Sequence, residues 1–342
     1  MNPEDLKIKL IPYFKEQLGS SFEIQEIIPF NGGFSNLTYL IQTNQGEMVL
    51  RRPPMGKKIS KAHDMTREFH VLKSLEKAGY TKIPKAMLSC EDETIMGAPF
   101  FIMEKVEGLI LRNKIPVGVK LEKDFFSQLS KNSLDSLIEL HELELEHSGL
   151  ASLGKPDGYV ERQVMGWTDR YQKAKTDEVQ TMELASEWLK ANHPSESSVG
   201  FIHNDFKYDN IVLKSTQEPH IEAILDWEMA TVGDPLMDLG TTLAYWAEPN
   251  DPDILKNFNL THAPGNFTRK EVIAYYGKST GRNMRDMLFY YVFGIFKVGV
   301  IAQQIYQRYQ QGFAQDPRFA ALIHAVKACG FLSTNAIKTG KI

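Results

Sequence analysis

The segment FIHNDFKYDNIVL, residues 201–213, concentrates side chains that can do chemistry. Apolar runs lie on either side of its polar centre, so it is expected to be a loop held at both ends by strands. Within it Asp205 and Asn210 stand five positions apart, with Lys207 between them and His203 just ahead. Phosphoryl transfer needs such a set: a carboxylate beside the attacking hydroxyl, and oxygen ligands for the metal ion that bridges the phosphates. Asp205 can orient the hydroxyl or accept its proton, and Asn210 can offer its amide oxygen to Mg2+. Lys207 can neutralise the transferring group, and His203 is expected to buttress the loop. An isolated Asp and Asn would read as turn residues bonding their own backbone. The complete His-x-Asp-x-Lys-x-x-Asn spacing argues for chemistry.

A second set lies in EAILDWEMATVGDPLMDLG, residues 222–240. An apolar strand ends in Asp226, which puts a carboxylate at its tip as a second metal ligand, and Glu228 can add a contact to the metal or its water. Asp226 follows Asn210 by sixteen positions, room for two strands and a turn, so both ligands are expected at one end of a hairpin. Asp234 and Asp238 are expected to cap the next helix and brace the 201–213 loop.

A third set would carry nucleotide. In NGGFSN, residues 31–36, Gly32 and Gly33 allow backbone N–H groups to approach phosphate oxygens, and Ser35 and Asn36 add donors. The pattern is not that of a P-loop. Arg51 ends the strand MVLR, and Glu68 lies on the helix that follows. A carboxylate can hold the guanidinium in a fixed pose toward phosphates. Arg51 and Arg52 face opposite ways, and Arg51 is taken as the inward one, on the same alternation as Tyr39.

The elements that must position these residues change character along the chain. Residues 5–18 read as a helix weakened at Pro12. FEIQEIIPF, LTYLIQT and EMVLRR read as strands, HDMTREFHVLKSLEKAG as a helix closed at Gly79, and AMLSCED and PFFIMEKV as two further strands. That predicts a five-stranded antiparallel sheet with one packed helix. From about residue 120 helices dominate, interrupted by the β-rich patch that carries the chemistry. The expected fold is α+β and bilobal: a nucleotide-binding lobe over residues 1–105 and a mainly helical catalytic and substrate lobe over 106–342.

A net charge of −4 and a pI near 6.2 give no basic field for nucleic acid. Cys90 and Cys329 are too few for a disulfide framework and are expected to be buried apolar residues. The first residues, with early acids and no long apolar run, are not expected to form a secretory signal. The apolar stretch 287–301, interrupted by Lys297, is shorter than the ~20 residues of a bilayer span, so no membrane segment is expected. A cytoplasmic location is the expectation.

Taken in order, the pieces resemble the protein-kinase-like superfamily. HNDFKYDN is similar to the catalytic loop H-R-D-L-K-x-x-N, and Asp226 to the metal-binding Asp of D-F-G. In FIMEKVEG, Met103 resembles a gatekeeper, which implies that Glu104 and Val106 present backbone groups to adenine. Asp226-Trp227-Glu228 replaces D-F-G, no A-P-E segment follows, and the chain runs almost directly into GDPLMDLG. These departures resemble the aminoglycoside phosphotransferase and choline kinase-like branch, and within it the kinase-like domain associated with acyl-CoA dehydrogenases. GGFSNLTYLI, VLRRPP, AHDMTREFHVLKSL and FGIFKVGVIAQQIYQRYQQG carry that likeness. The resemblance implies a small-molecule kinase using ATP and Mg2+ on an alcohol group, here a hydroxyacyl thioester or another small alcohol. The alternative is a nucleotide-binding pseudokinase scaffold, against which the joint presence of Asp205, Asn210 and Asp226 counts. For the 287–310 helix, either Lys297 and Arg308 are solvated cations on a core helix or its polar edge lines the acceptor pocket.

Overall fold

The structure is a computed structural model that describes residues 2–30, 36–54, 64–194, 197–314 and 316–342. Contacts divide the chain into two compact units, Met1–Glu107 with Glu222–Met229, and Gly108–Ile221 with Ala230–Ile342. The segment 222–229, placed with the helical lobe by sequence, therefore belongs by its contacts to the first unit.

In the first unit, α1 (Pro3–Leu18) opens at Asn2, whose side chain accepts the Asp5 N–H at 2.8 Å. The helix runs through Pro12 rather than breaking there. Leu6, Leu10 and Phe14 are fully buried against the sheet. At roughly 2 kcal/mol each, that burial outweighs the ~3 kcal/mol an internal proline costs. The sheet comprises β1 (Ile24–Pro29), β2 (Leu37–Thr43), β3 (Gly46–Arg52), β4 (Ala86–Cys90) and β5 (Phe100–Glu104). Its strands lie in the order β1-β2-β3-β5-β4 with antiparallel neighbours.

Helix α2 (Met65–Lys77) is capped by Asp64 and buries Met65, Glu68, Val71, Leu72 and Leu75. It packs on β4 and β5 over the face that carries Phe101, whereas α1 covers the face of Leu50, Phe100 and Ile102. The sheet thus carries a helix on each face, one more than expected. A short helix, α3 (Glu93–Met96), joins β4 to β5.

Alternation along β3 sends Arg51 and Arg52 to opposite faces. Tyr39 pairs with Leu50 and packs in the α1 core, so Arg51, opposite Thr38, faces away from Tyr39. The alternation with Tyr39 therefore supplies no reason for choosing Arg51. Arg52 is buried, its Nε donating to the Pro53 carbonyl at 3.2 Å.

The second unit contains α4 (Lys123–His141), α5 (Tyr159–Ala174) and α6 (Gln180–Ala191), followed by the β-rich patch. There β6 (Gly200–Ile202) precedes the 203–210 loop, and β7 (Ile211–Leu213) follows it. Strand β8 (Ile221–Ile224) begins at the end of this stretch and carries the chain into the first unit from Glu222 onward, and β9 (Thr231–Gly233), back in the second unit, pairs antiparallel with β6. The helices α7 (Pro235–Tyr245), α8 (Asp253–Lys256), α9 (Arg269–Thr280), α10 (Met287–Gln310) and α11 (Leu322–Thr339) complete the unit.

The long helix α10 packs on α7, α11, α5 and α6. It crosses α7 where neither helix has a side chain: a Cβ on Gly240 would stand 2.2 Å from the Tyr290 carbonyl oxygen, and one on Gly294 2.1 Å from that of Gly240. Only hydrogen fits at both positions.

By length and composition, α10 and the segment Pro317–Thr339 could each cross a membrane. The expectation that the first was too short for a span is thus corrected, since α10 has 24 residues. Its most apolar window is 78% buried within the protein, which accounts for its composition as a core helix. Cys90 and Cys329 are free and buried.

Candidate active site

In the first unit Arg51 gathers three carboxylates. Its guanidinium lies 3.3 Å from Glu68 Oε1, 2.9 Å from Asp226 Oδ1 and 3.8 Å from Glu228 Oε2. Asn36 donates from Nδ2 to Glu228 Oε2 at 2.8 Å. Burial works against the Arg51 charge, but Glu68, Asp226 and Glu228 outweigh it and hold the guanidinium protonated. Burial pushes the Glu68 carboxyl up to about 7, only partly offset by Arg51 and reinforced by the charge of Asp226.

Two features of the fold bring these groups together. The β3 register aims Arg51 at α2, where Glu68 lies one helical turn past the Asp64 cap. Asp226 sits at φ 67°, in the left-handed region that Asp tolerates better than most residues. Trp227, fully buried, anchors the next turn by donating from Nε1 to the Ile224 carbonyl at 2.8 Å and meeting Tyr80 edge-on.

Among the other nucleotide residues expected from sequence, Met103 is buried in β5. The Glu104 N–H donates to the Lys85 carbonyl at 2.9 Å. Val106 follows β5 outside any helix or strand and makes no backbone–backbone hydrogen bond among the described residues. Gly32, Gly33 and Ser35 lie outside the described residues.

In the second unit the loop after β6 holds its side chains toward one another. Lys207 Nζ is 2.7 Å from Asp205 Oδ2 and sits over the Tyr245 ring. Asn210 Nδ2 donates to the Asp205 carbonyl at 2.9 Å and to Asp205 Oδ2 at 3.1 Å. The amide nitrogen of Asn210 is thereby committed to Asp205. His203 is fully buried and accepts the Asp205 N–H at Nδ1 at 3.2 Å, so it buttresses the loop.

The loop backbone is gripped from below by a residue of α7. Asp238 accepts the His203 N–H at 2.7 Å and the Asn204 N–H at 2.8 Å. Its Oδ2 also meets His141 Nε2 at 3.1 Å, and His141 Nδ1 meets the Tyr276 hydroxyl at 2.8 Å. Burial pushes the Asp238 carboxyl up, but His141 and the His203 N–H outweigh it and hold it below the usual carboxylate range. Asp234 caps α7 by accepting the Leu236 N–H at 2.8 Å, and the Tyr290 hydroxyl donates to its other oxygen at 3.0 Å.

Sequence reasoning anticipated both aspartates but missed His141 and Tyr276, whose helices are remote in the chain. It also read Lys297 as either solvated or edging a pocket. Lys297 is 1% exposed, a buried ammonium bonded to the loop. Asp205, Lys207, His203 and Asn210 are thus assembled within the second unit, and Arg51, Glu68, Asn36, Asp226 and Glu228 within the first.

The phosphotransferase enzyme family (APH) matches residues 26–272. Acyl-CoA dehydrogenase family member 10 of Mus musculus is 33% identical over 309 residues, 89% of this chain and 28% of that protein. Acyl-CoA dehydrogenase family member 11 of Homo sapiens is 33% identical over 289 residues, 84% of this chain and 36% of that protein. The chain therefore spans about a third of the length of these relatives.

Among solved structures, a Ralstonia eutropha protein provisionally named an aminoglycoside phosphotransferase superposes with a TM-score of 0.81 and 26% identity, covering 97% of this chain and 98% of that one. Plasmodium vivax ethanolamine kinase shares the fold, with a TM-score of 0.63 and 14% identity over 98% of this chain and 89% of its own. The fold is the kinase-like one, and the chain belongs to the phosphotransferase enzyme family.

Proposed function

We propose that this protein transfers the terminal phosphoryl group of ATP, carried with Mg2+, to a hydroxyl of a small molecule. The observation that carries this reading is the Asp205 carboxylate, held at once by Lys207 and by the amide nitrogen of Asn210. That arrangement fixes a base-competent oxygen and leaves the Asn210 amide oxygen as an acceptor for a ligand. Asp205 receives the acceptor hydroxyl, orients its lone pair for attack and takes its proton as the new P–O bond forms. Lys207 lowers the cost of charge on the moving phosphoryl group.

Asn210 offers an amide oxygen within the second unit and Asp226 a carboxylate oxygen within the first, each a hard donor of the kind that Mg2+ favours. When bound, it would neutralise phosphate charge and orient the chain of phosphates. Glu228, tied to Asn36, steadies Arg51 and completes the acidic side of the first cluster. Arg51, set by Glu68, supports the nucleotide phosphates, and Glu104 and Val106 offer backbone groups to the base. His203 and Asp238 keep the loop in register.

The acceptor we propose is a hydroxylated acyl thioester, a choice supported by the relation to chains named for acyl-CoA dehydrogenases. The test is ADP release from Mg·ATP against choline, ethanolamine, sugars, aminoglycosides and hydroxyacyl thioesters, with mass detection of phosphorylated product. Acceptor-dependent turnover that disappears in Asp205→Ala supports the reading. Turnover indifferent to that substitution, or no turnover with any alcohol, overturns it.

A further inference from the structure

A lysine buried in the middle of an apolar helix calls for a reason, because desolvation makes its charge costly. Lys297 lies in α10, one helical turn after Gly294, and its Nζ donates to the Asn204 carbonyl oxygen at 2.7 Å. A longer contact of 3.5 Å reaches Asn204 Oδ1, and the ammonium sits 5.5 Å from the centre of the Trp167 ring. Asn204 is held at φ 68°, and the Tyr159 hydroxyl fixes its side chain.

The peptide that joins Asn204 to Asp205 is therefore pinned at both ends. Its oxygen is bound by Lys297, and its N–H is bound by His203. Asp238 holds the preceding N–H groups from the other helix of the Gly240–Gly294 crossing.

We propose that Lys297 is a positioning residue that locks the Asn204–Asp205 peptide and so sets the bearing of the Asp205 carboxylate. Its importance for turnover rests on the phosphotransfer reading above; its hold on the loop does not. Burial pulls the Lys297 ammonium down to about 8, with Asp205 and Asp238 favouring its charge and Lys207 and Arg170 opposing it. Above that range the amine loses the charge that strengthens its bond to the carbonyl.

The test uses the full chain and its Lys297→Met and Lys297→Arg variants. Hydrogen exchange is followed over residues 201–210, and Mg·ATP hydrolysis, with water as acceptor, gives kcat and KM. In Lys297→Met, exchange at Asn204 and Asp205 is expected to rise about tenfold, and kcat to fall ~10–100-fold while KM for Mg·ATP stays within about twofold. Unchanged exchange and kcat in a folded Lys297→Met protein overturn the proposal.

Should the methionine variant fail to fold, the pH profile of kcat decides. The wild type is expected to lose activity above about pH 8, and Lys297→Arg, which stays charged, to keep it. An alkaline loss identical in both proteins overturns the proposal. Loosened exchange in the variant, with no wild-type turnover on water or on any of the alcohols named above, would sink the phosphotransfer reading alone.

Discussion

Arg51 Nη2 lies 2.9 Å from Asp226 Oδ1, so the cation expected to meet the nucleotide and the carboxylate expected to meet its metal are bonded to each other. Glu68, 3.3 Å away on the other side, completes a carboxylate–guanidinium–carboxylate row. The planar fork of arginine can span both carboxylates, whereas a lysine ammonium acts as a point charge. Arg51→Lys is expected to raise KM for Mg·ATP about tenfold with a smaller effect on kcat, measured by steady-state kinetics at saturating acceptor.

The raised Glu68 carboxyl gives this row a pH dependence. As pH falls through about 7, Glu68 takes a proton and Arg51 loses one of its anchors. Wild-type KM for Mg·ATP is expected to rise below pH 7, and that limb should vanish in Glu68→Gln. For stability the sign is opposite. Between its unfolded pKa of about 4.3 and its folded value, the unfolded chain ionises first, so this group makes the fold less stable as pH rises. Denaturation midpoints from pH 4.5 to 7.5 should slope less in the glutamine variant than in the wild type.

Asp205→Asn keeps the size of the side chain but removes the charge that Lys207 neutralises and the basicity the hydroxyl needs. A loss of ~10²–10⁴ in kcat is expected, with binding of a fluorescent ATP analogue nearly unchanged. Equal losses in binding and kcat would instead mark a nucleotide residue.

Asp238→Asn is expected to disturb the loop rather than the chemistry directly. A carboxamide oxygen cannot take every donor that the carboxylate serves, so a buried N–H or the His141 ring loses its partner. The cost is ~1–3 kcal/mol of stability, read by urea titration, with a fall in kcat at constant KM for nucleotide.

Much of this was legible in the sequence because the information was local. The spacing of His203, Asp205, Lys207 and Asn210 fits within one loop, and the five strands of the first unit announce themselves by alternation and turn residues. The helix over residues 5–18 was legible despite Pro12, and the packing of Leu6, Leu10 and Phe14 accounts for its running through that residue. Lys297 misled because a lone cation on an apolar helix gives no sign of a carbonyl waiting from a loop more than ninety residues earlier. His141 and Tyr276 carried no motif, since their pairing exists only once α4 and α9 lie together.

The α7–α10 crossing offers a test of packing alone. In Gly240→Ala the new methyl would meet the Tyr290 carbonyl, and the helices must separate by an appreciable fraction of a bond length. Destabilisation of ~1–3 kcal/mol is expected, a fall of about 5 °C in melting temperature. Because Asp238 and Lys297 approach the loop from these two helices, residual activity should fall further than the folded fraction does.

The first unit takes Glu222–Met229 from far along the chain, and with it the acidic partner of Arg51. During synthesis, residues 108–221 must all be joined before that segment exists. Until then the nascent sheet carries a buried guanidinium with Glu68 as its only anionic neighbour in the row. The amino-terminal lobe therefore receives the Asp226 contact to Arg51 only after most of the message has been read.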